Sequence, residues 1–224
     1  MPRVYENYVL DFDDTLAVGP MTWAIDYVLP ELMERHGLPM DRARLDAALV
    51  RAQELAVNQL DDNMLIQHFL NDMAWSSALQ EELGRVAASG FRPALFDDTI
   101  PFLKMLRDDG KRVLVISNNV RCPLTAIELG INNYIDGFFT PRSWDGWEPK
   151  PDRSMFDAAR GVVTDLRTDN TVVVGDDPWS DAAFAANCGL PCRIVDRHHR
   201  YGAVTMPDRV ERIHTLRAAL TGWQ

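Results

Sequence analysis

Lysine is scarce in this 224-residue chain: only Lys104, Lys111 and Lys150 are present, and none falls between residues 17 and 95. With 23 lysines and arginines against 33 aspartates and glutamates, the formal net charge is -10. That balance excludes broad contact with nucleic acid phosphates, which relies on clustered basic side chains, but it leaves room for a local pocket holding one small anion. Cysteine is sparse too. Cys122, Cys188 and Cys192 are odd in number and lie in apolar or turn sequence, so they read as reduced, buried thiols and not as a disulfide framework. Cys188 and Cys192 are spaced as a pair, but without a second pair or a histidine at ligand spacing they make a poor metal site. No stretch approaches the roughly 18 consecutive apolar residues of a membrane span. Residues Met1 to Glu6 run almost directly into an apolar segment, which leaves no room for the core and cleavage site of a signal peptide. The expectation is a cytoplasmic protein with neither a membrane nor a nucleic acid partner.

Hydrophobic residues make up 46% of the chain and charged residues 25%, proportions that fit one globular core carrying a smaller insert. The first pointed feature is Tyr8-Val9-Leu10-Asp11-Phe12-Asp13-Asp14-Thr15-Leu16, an apolar run that reads as a buried strand and ends in three carboxylates and a threonine. Along an extended chain Asp11 and Asp13 share a face and Asp14 takes the other. Converging carboxylates repel unless a cation or an acid/base role compensates. The plain alternative is a polar strand end whose Asp or Thr caps a helix.

Residues 17 to 95 differ in texture and read as an insert of three or four helices. Trp23, Ile25, Val28 and Leu32 recur at helical spacing, with Pro30 marking a break or kink. Asp41 is placed to cap a helix carrying Leu45, Leu49 and Leu55; Asp61 or Asp62 is placed to open another with Leu65, Phe69 and Met73. A fourth is expected from about Ser77 to Ala88, ending before Gly90. Beyond Phe91, strands alternate with helices. A helix over 98–109 is expected to bury Ile100, Leu103 and Leu106 and to lead into the strand Arg112 to Ile116. There follow a helix near 123–129, a weak strand at 137–140, an irregular loop at 141–151, a helix near 153–160 and a strong strand at 171–174. A helix over 179–188 precedes a strand at 192–195. The basic stretch Arg197-His198-His199-Arg200 reads as a solvated turn, and Asp208 as the cap of a last helix with Val210, Ile213 and Leu216 on its inner face. Such alternation implies a doubly wound, Rossmann-like parallel sheet, with reactive groups at the carboxyl ends of its strands.

Each strong strand ends in polar residues. The second runs into Ser117-Asn118-Asn119, and the strand at 171–174 into Gly175-Asp176-Asp177-Pro178-Trp179-Ser180-Asp181. Between them stands the proline-flanked Lys150. Singly these are caps and loop charges; together they form a constellation at one sheet edge.

In these residues the sequence resembles the haloacid dehalogenase superfamily of hydrolases, over almost the whole chain. All four motifs of that family stand in order: Asp11-Phe12-Asp13-Asp14-Thr15, Ser117-Asn118, Lys150-Pro151-Asp152, and Gly175-Asp176 followed by Asp181. Asp14 departs from the glycine often found at its position. The resemblance implies an α/β core of residues 1–16 and 96–224 and, as in the first subclass of the family, an all-helical cap over 17–95. It also implies roles. Asp11 would attack phosphorus and carry an aspartyl phosphate, and Asp13 would protonate the leaving alkoxide and then activate water. Mg²⁺ would sit among the Asp11 carboxylate, the Asp13 main-chain carbonyl and Asp176. Ser117, Asn118 with its neighbouring main-chain N–H groups, and Lys150 would hold the phosphoryl oxygens. Asp181, or Asp177, would orient Lys150 and metal-bound water, and Thr15 would fix the turn into the cap.

The same resemblance separates activities. True dehalogenases displace halide without an acid and lack a second aspartate, so Asp13 points to phosphoryl transfer. Phosphonate-cleaving relatives need a cap lysine, and residues 17–95 contain none. The expected function is a Mg²⁺-dependent phosphatase acting on a small phosphorylated metabolite, as a monomer or homodimer. A phosphomutase or another phosphotransferase is the alternative, and a 2-haloacid dehalogenase or a non-catalytic binding protein stands behind it. Substrate contacts are sought at Trp23, Tyr27, His68 and Trp75 of the cap, or at Trp144, Trp147 and Trp179; as helical or loop aromatics, all of them also suit plain packing.

Overall fold

A computed structural model describes residues 5–57 and 63–220 of the chain. Six parallel strands form one sheet: β1 (Asn7–Leu10), β2 (Arg112–Ile116), β3 (Gly137–Phe139), β4 (Thr171–Gly175), β5 (Cys192–Val195) and β6 (Val210–Ile213), in the order β3-β2-β1-β4-β5-β6. The β-branched strands β2 and β4 flank β1, and Leu10 lies opposite Val115 on one side and Val174 on the other. Strands buried on both faces tolerate continuous apolar sequence, which explains why these three lack alternation. The register leaves the three chain exits (Asp11, Ser117 and Asp176) along one edge. Because the strand order reverses around β1, the switch point of the sheet lies between the ends of β1 and β4, the position at which such sheets bind ligands.

Chain contacts divide the molecule into two compact units, Met1–Ala17 with Ala94–Gln224, and Val18–Pro93. The second is all helix among the described residues: α1 (Pro20–Trp23) runs through a wide π turn (Ala24–Val28) into α2 (Leu29–Arg35), followed by α3 (Arg42–Ala56), α4 (Asn63–Met73) and α5 (Ser77–Gly90). Pro30 does not break the first helix, as its sequence suggests. It falls in the first turn after the π segment, where a missing N–H leaves no bond unmade. Asp41 caps α3, accepting from the Arg44 N–H at 3.0 Å. The helices bury Ile25, Leu29, Leu45, Leu49, Phe69 and Leu79 against one another. Leu55, by contrast, is 56% exposed in the last turn of α3. The expected caps Asp61 and Asp62 lie outside the described residues, and α5 continues through Gly90 instead of stopping before it.

In the α/β unit, α6 (Thr99–Asp108), α7 (Cys122–Glu128), α8 (Ser154–Val162) and α9 (Ala183–Cys188) cover the sheet. Helix α6 buries Phe102, Leu103 and Leu106 together with Thr99, and rotates Ile100 out to 46% exposure, against expectation. The larger correction is at the carboxyl end. Val210, Ile213 and Leu216 do not share a helix: Val210–Ile213 is the edge strand β6, pairing Cys192 with Val210 and Val195 with Ile213, and a 3-10 turn follows at Leu216–Leu220. All three cysteines are free and buried, and burial pushes each thiol upward in pKa, Cys188 to about 12. Among the described residues no helix is long and apolar enough to cross a membrane.

Leu16 and Leu95 to Thr99 meet inside this unit. The Leu16 carbonyl accepts from the buried Thr99 hydroxyl at 2.6 Å and from the Phe96 N–H at 3.3 Å, and Ala17 bridges Leu95. Thr99→Val keeps the shape and deletes one donor. It should lower unfolding stability by about 1–2 kcal/mol, read as a shifted denaturant midpoint at constant slope.

Candidate active site

Asp11 follows β1 and stays tied to β4, its N–H donating to the Val174 carbonyl at 2.9 Å. Its buried carboxylate accepts from Lys150 Nζ at 2.5 Å through Oδ1, and the same ammonium donates to Asp181 Oδ1 at 2.6 Å. Lys150 is 6% exposed and Asp181 1%, so the triad is shielded from water. The other Asp181 oxygen accepts the main-chain N–H groups of Asp176 and Asp177 at 3.0 and 3.1 Å, fixing the turn after β4. Gly175 permits this approach, since a Cβ built there would meet Asp181 Cβ at 2.6 Å and its carboxyl group more closely still. Which acid of the fourth motif faces Lys150 is thus plain. Asp177 instead caps the turn at Pro178–Ala182, accepting from Trp179 N–H at 2.8 Å and Ser180 N–H at 3.2 Å.

Ser117 and Asn118 extend from β2. Ser117 is buried, and its Oγ accepts from the Asn119 N–H at 3.3 Å. The Asn118 amide, expected at the phosphate, is committed elsewhere: its Oδ1 accepts from the Lys150 N–H at 2.7 Å, and its Nδ2 donates to the Lys150 carbonyl at 3.2 Å. That clamp holds the lysine's backbone beside a cis Lys150–Pro151 peptide. The Ser117 hydroxyl keeps its own proton to donate to an anion, beside main-chain N–H groups of this turn.

Asp13 and Asp14 lie past the strand. Asp13 Oδ2 accepts from Asn119 Nδ2 at 2.8 Å. The expectation that Asp14 turns away from the site rests on strand alternation, which the chain abandons here. Asp14 has φ +56, and among the acidic neighbours that raise Asp176 its charge acts most strongly. Thr15 does more than shape a turn: its hydroxyl donates to Asp176 Oδ1 at 3.4 Å, and its carbonyl accepts from Arg197 Nη2 at 2.9 Å. Arg197, expected in a solvated loop, turns inward. It pairs with Asp98 at 3.0 Å and lies over the Phe96 ring at 4.0 Å, while His199 of the same turn stays exposed.

Electrostatically the site is a carboxylate excess around one ammonium. Burial pushes Asp11 up to about 7 against the pull of Lys150, and Asp13 up to about 6 against its hydrogen bond from Asn119. Lys150 is held above its usual range, because Asp11 and Asp181 outweigh the penalty of burial. Asp176 is raised well above the usual carboxylate range by burial first and then by Asp14, Asp181 and Asp11. Among the described residues no cationic side chain contacts Asp176, and Asp11, Asp176 and Asp181 bring oxygens within 4.8 Å of one another. A hard divalent cation such as Mg²⁺ fits this donor set, all oxygen and short of positive charge.

The model of haloacid dehalogenase-like hydrolases matches residues 5–189, and the chain belongs to that family. No curated protein matches it. Solved structures share the fold. A protein described as a HAD-hydrolase from Bacillus subtilis, bound to magnesium, is 15% identical with a TM-score of 0.65, covering 96% of this chain and 97% of that one. A HAD phosphatase from Thermococcus onnurineus is 23% identical with a TM-score of 0.55, over 96% and 95%. A HAD-superfamily hydrolase of subfamily IA from Geobacter sulfurreducens is 15% identical with a TM-score of 0.58, over 97% and 95%.

Three participants escape a reading of the sequence. Asn119 is a second amide beside a motif residue, Arg197 looks like any loop arginine, and Asp14 obeys an alternation that holds only while the strand lasts. Of the aromatic residues considered as contacts, Trp23 packs on Phe91, Trp75 on Phe69 and Trp147 on Phe139, whereas Trp144 is 82% exposed. The Gly175 contact yields a test by paired substitution. Gly175→Ala should cost about 1–3 kcal/mol in chemical denaturation by displacing Asp181. Gly161→Ala in α8, with nothing within 4 Å, should be neutral or gain about 0.4–1 kcal/mol.

Proposed function

We propose that the protein is a Mg²⁺-dependent phosphatase that hydrolyses a small phosphate monoester through an aspartyl phosphate on Asp11. The observation that carries this reading is the pairing of a lysine-bound carboxylate, Asp11, with a second, raised carboxyl, Asp13, at one strand end. A halide leaving group has no use for an acid; an alkoxide does. Magnesium bound to the Bacillus subtilis neighbour and the phosphatase from Thermococcus onnurineus support the same choice.

In this reading Asp11 and Asp176 hold the metal through their carboxylates and Asp13 through its main-chain carbonyl. When bound, Mg²⁺ supplies Lewis acidity toward the phosphoryl oxygens and offsets the carboxylate repulsion. Lys150, fixed by Asp181 at its head and Asn118 at its backbone, orients Asp11 and balances charge on the transferring group. Ser117 and the N–H groups of the turn after β2 receive phosphoryl oxygens. Asp13 gives its proton to the departing alcohol, and the resulting carboxylate takes one from the water that hydrolyses the phosphoenzyme, work of about 10²- to 10⁴-fold in rate. The buried thiols and the acidic surface accord with a cytoplasmic enzyme of small metabolites, monomeric or homodimeric, with no membrane or nucleic acid partner.

An aryl phosphate should be hydrolysed only with Mg²⁺ present, and Asp11→Asn should lower turnover by at least about 10³-fold. Turnover surviving in that variant would remove Asp11 from its role. A second expectation concerns pH. Asp11, Asp13 and Asp177, at about 7, 6 and 6, sit above the unfolded value near 3.9, so the folded state keeps protons that the unfolded chain releases. Their contribution to stability therefore falls as pH rises from about 4 to about 7. At Asp11, and at Asp176 whose carboxyl is raised as well, Mg²⁺ takes the place of the proton, so saturating metal should raise the melting temperature far more at about pH 8 than at about pH 5. Equal shifts at both pH values would contradict metal binding by these carboxylates.

A further inference from the structure

Asn119 belongs to no motif, yet it is the one side chain that hydrogen-bonds the Asp13 carboxyl among the described residues. The direction of that bond is fixed. The Arg121 N–H donates to Asn119 Oδ1 at 2.9 Å, which makes that end of the amide the oxygen and leaves Nδ2 pointing at Asp13 Oδ2, 2.8 Å away. The Asn119 N–H is anchored as well, on Ser117 Oγ at 3.3 Å. An amide nitrogen only donates, so Oδ2 is held as the acceptor oxygen of Asp13. Its other oxygen, Oδ1, has no hydrogen-bond partner among the described residues.

We propose that Asn119 is a positioning residue for proton transfer, fixing the Asp13 carboxyl so that Oδ1 carries the proton to the leaving alcohol. The inference rests on the role of Asp13 given above. In the step concerned, a carboxylate oxygen of Asp11 bonds to phosphorus as the bond from phosphorus to the ester oxygen breaks. The proton on Asp13 Oδ1 passes to that ester oxygen, leaving Asp13 as a carboxylate whose Oδ2 still accepts from Asn119. Without the amide, the carboxyl rotates about its side-chain torsions, and a misplacement of about 1 Å can cost about 10²-fold.

Leaving groups provide the test. p-Nitrophenolate departs with little help from an acid, whereas ethoxide needs a proton. The value of kcat/KM reports only steps through alcohol departure, so hydrolysis of the shared phosphoenzyme drops out. The measurement is the ratio of kcat/KM for ethyl phosphate to that for p-nitrophenyl phosphate, with Mg²⁺, in Asn119→Ala, Asn119→Asp and Asp13→Asn. Asn119→Asp keeps the oxygen that caps the Arg121 N–H and replaces the donor with a carboxylate oxygen that repels Asp13, while Asn119→Ala removes the donor without adding charge. The expected result is a ratio lowered about 10- to 100-fold in both Asn119 variants, and further in Asp13→Asn. If Asn119→Asp keeps the wild-type ratio while Asn119→Ala does not, Asn119 is a turn cap and the inference is overturned. Equal losses on both substrates overturn it too. An unchanged ratio in Asp13→Asn places the failure earlier, in the acid role of Asp13 itself.

Discussion

One buried ammonium holds the site together. Lys150 Nζ bridges Asp11 at 2.5 Å and Asp181 at 2.6 Å, and all three groups are nearly closed to water. Desolvating three charges is costly, and removing one member of such a group strands the others. The arrangement persists because its members are held in turn by other groups. Asp181 takes two main-chain N–H groups, Asn118 grips the lysine's backbone on both sides, and Gly175 leaves the space that the carboxylate fills. The triad still carries excess negative charge, and Asp176, Asp13 and Asp14 add to it. That excess suits a divalent cation, and burial, reinforced by the charge of Asp14, raises the Asp13 carboxyl to about 6, so that a fraction of it still carries a proton near neutral pH.

The topology explains why these groups meet at all. With β1 central, its exit lies between those of β2 and β4, so residues more than a hundred positions apart in sequence arrive at one edge. Each strand then turns at once into a polar segment. The rim is hydrogen-bonded in two stretches: Asn119 of one turn bonds Ser117 and Asp13, and Asp176 of another bonds Asp181 and Thr15 of the third. Arg197 extends the rim to the end of β5, anchoring the Thr15 carbonyl and Asp98 together.

Sequence made much of this legible because buried parallel strands are continuous apolar runs, and because Asp11, Ser117, Lys150 and Asp176 each break such a run or stand beside proline or glycine. What it concealed depends on contacts made at a distance. The strand β6 is four residues long, too short to show alternation, and Val210, Ile213 and Leu216 mimic a helical face until pairing with β5 decides the matter. Ile100 and Leu55 fit helical spacing by number, yet their helices turn other residues inward. Pro30 reads as a break only if the helix is regular, and the π turn before it is not. Asn118 was legible as a site residue but not as a clamp, since only the fold brings Lys150 to its amide. Arg197 acts through partners from other segments, and Asn119, besides its local bonds to Ser117 and Arg121, reaches Asp13 only because the fold brings β1 beside β2.

The central claim is that Asp11 becomes phosphorylated. Rapid acid quenching after mixing the Mg²⁺-loaded protein with ³²P-labelled p-nitrophenyl phosphate measures this directly. The account predicts transient label on the protein that hydroxylamine releases, as it does acyl phosphates, and that maps to the peptide containing Asp11 and is absent from Asp11→Asn. Turnover without protein-bound label, or label that persists in Asp11→Asn, would contradict it.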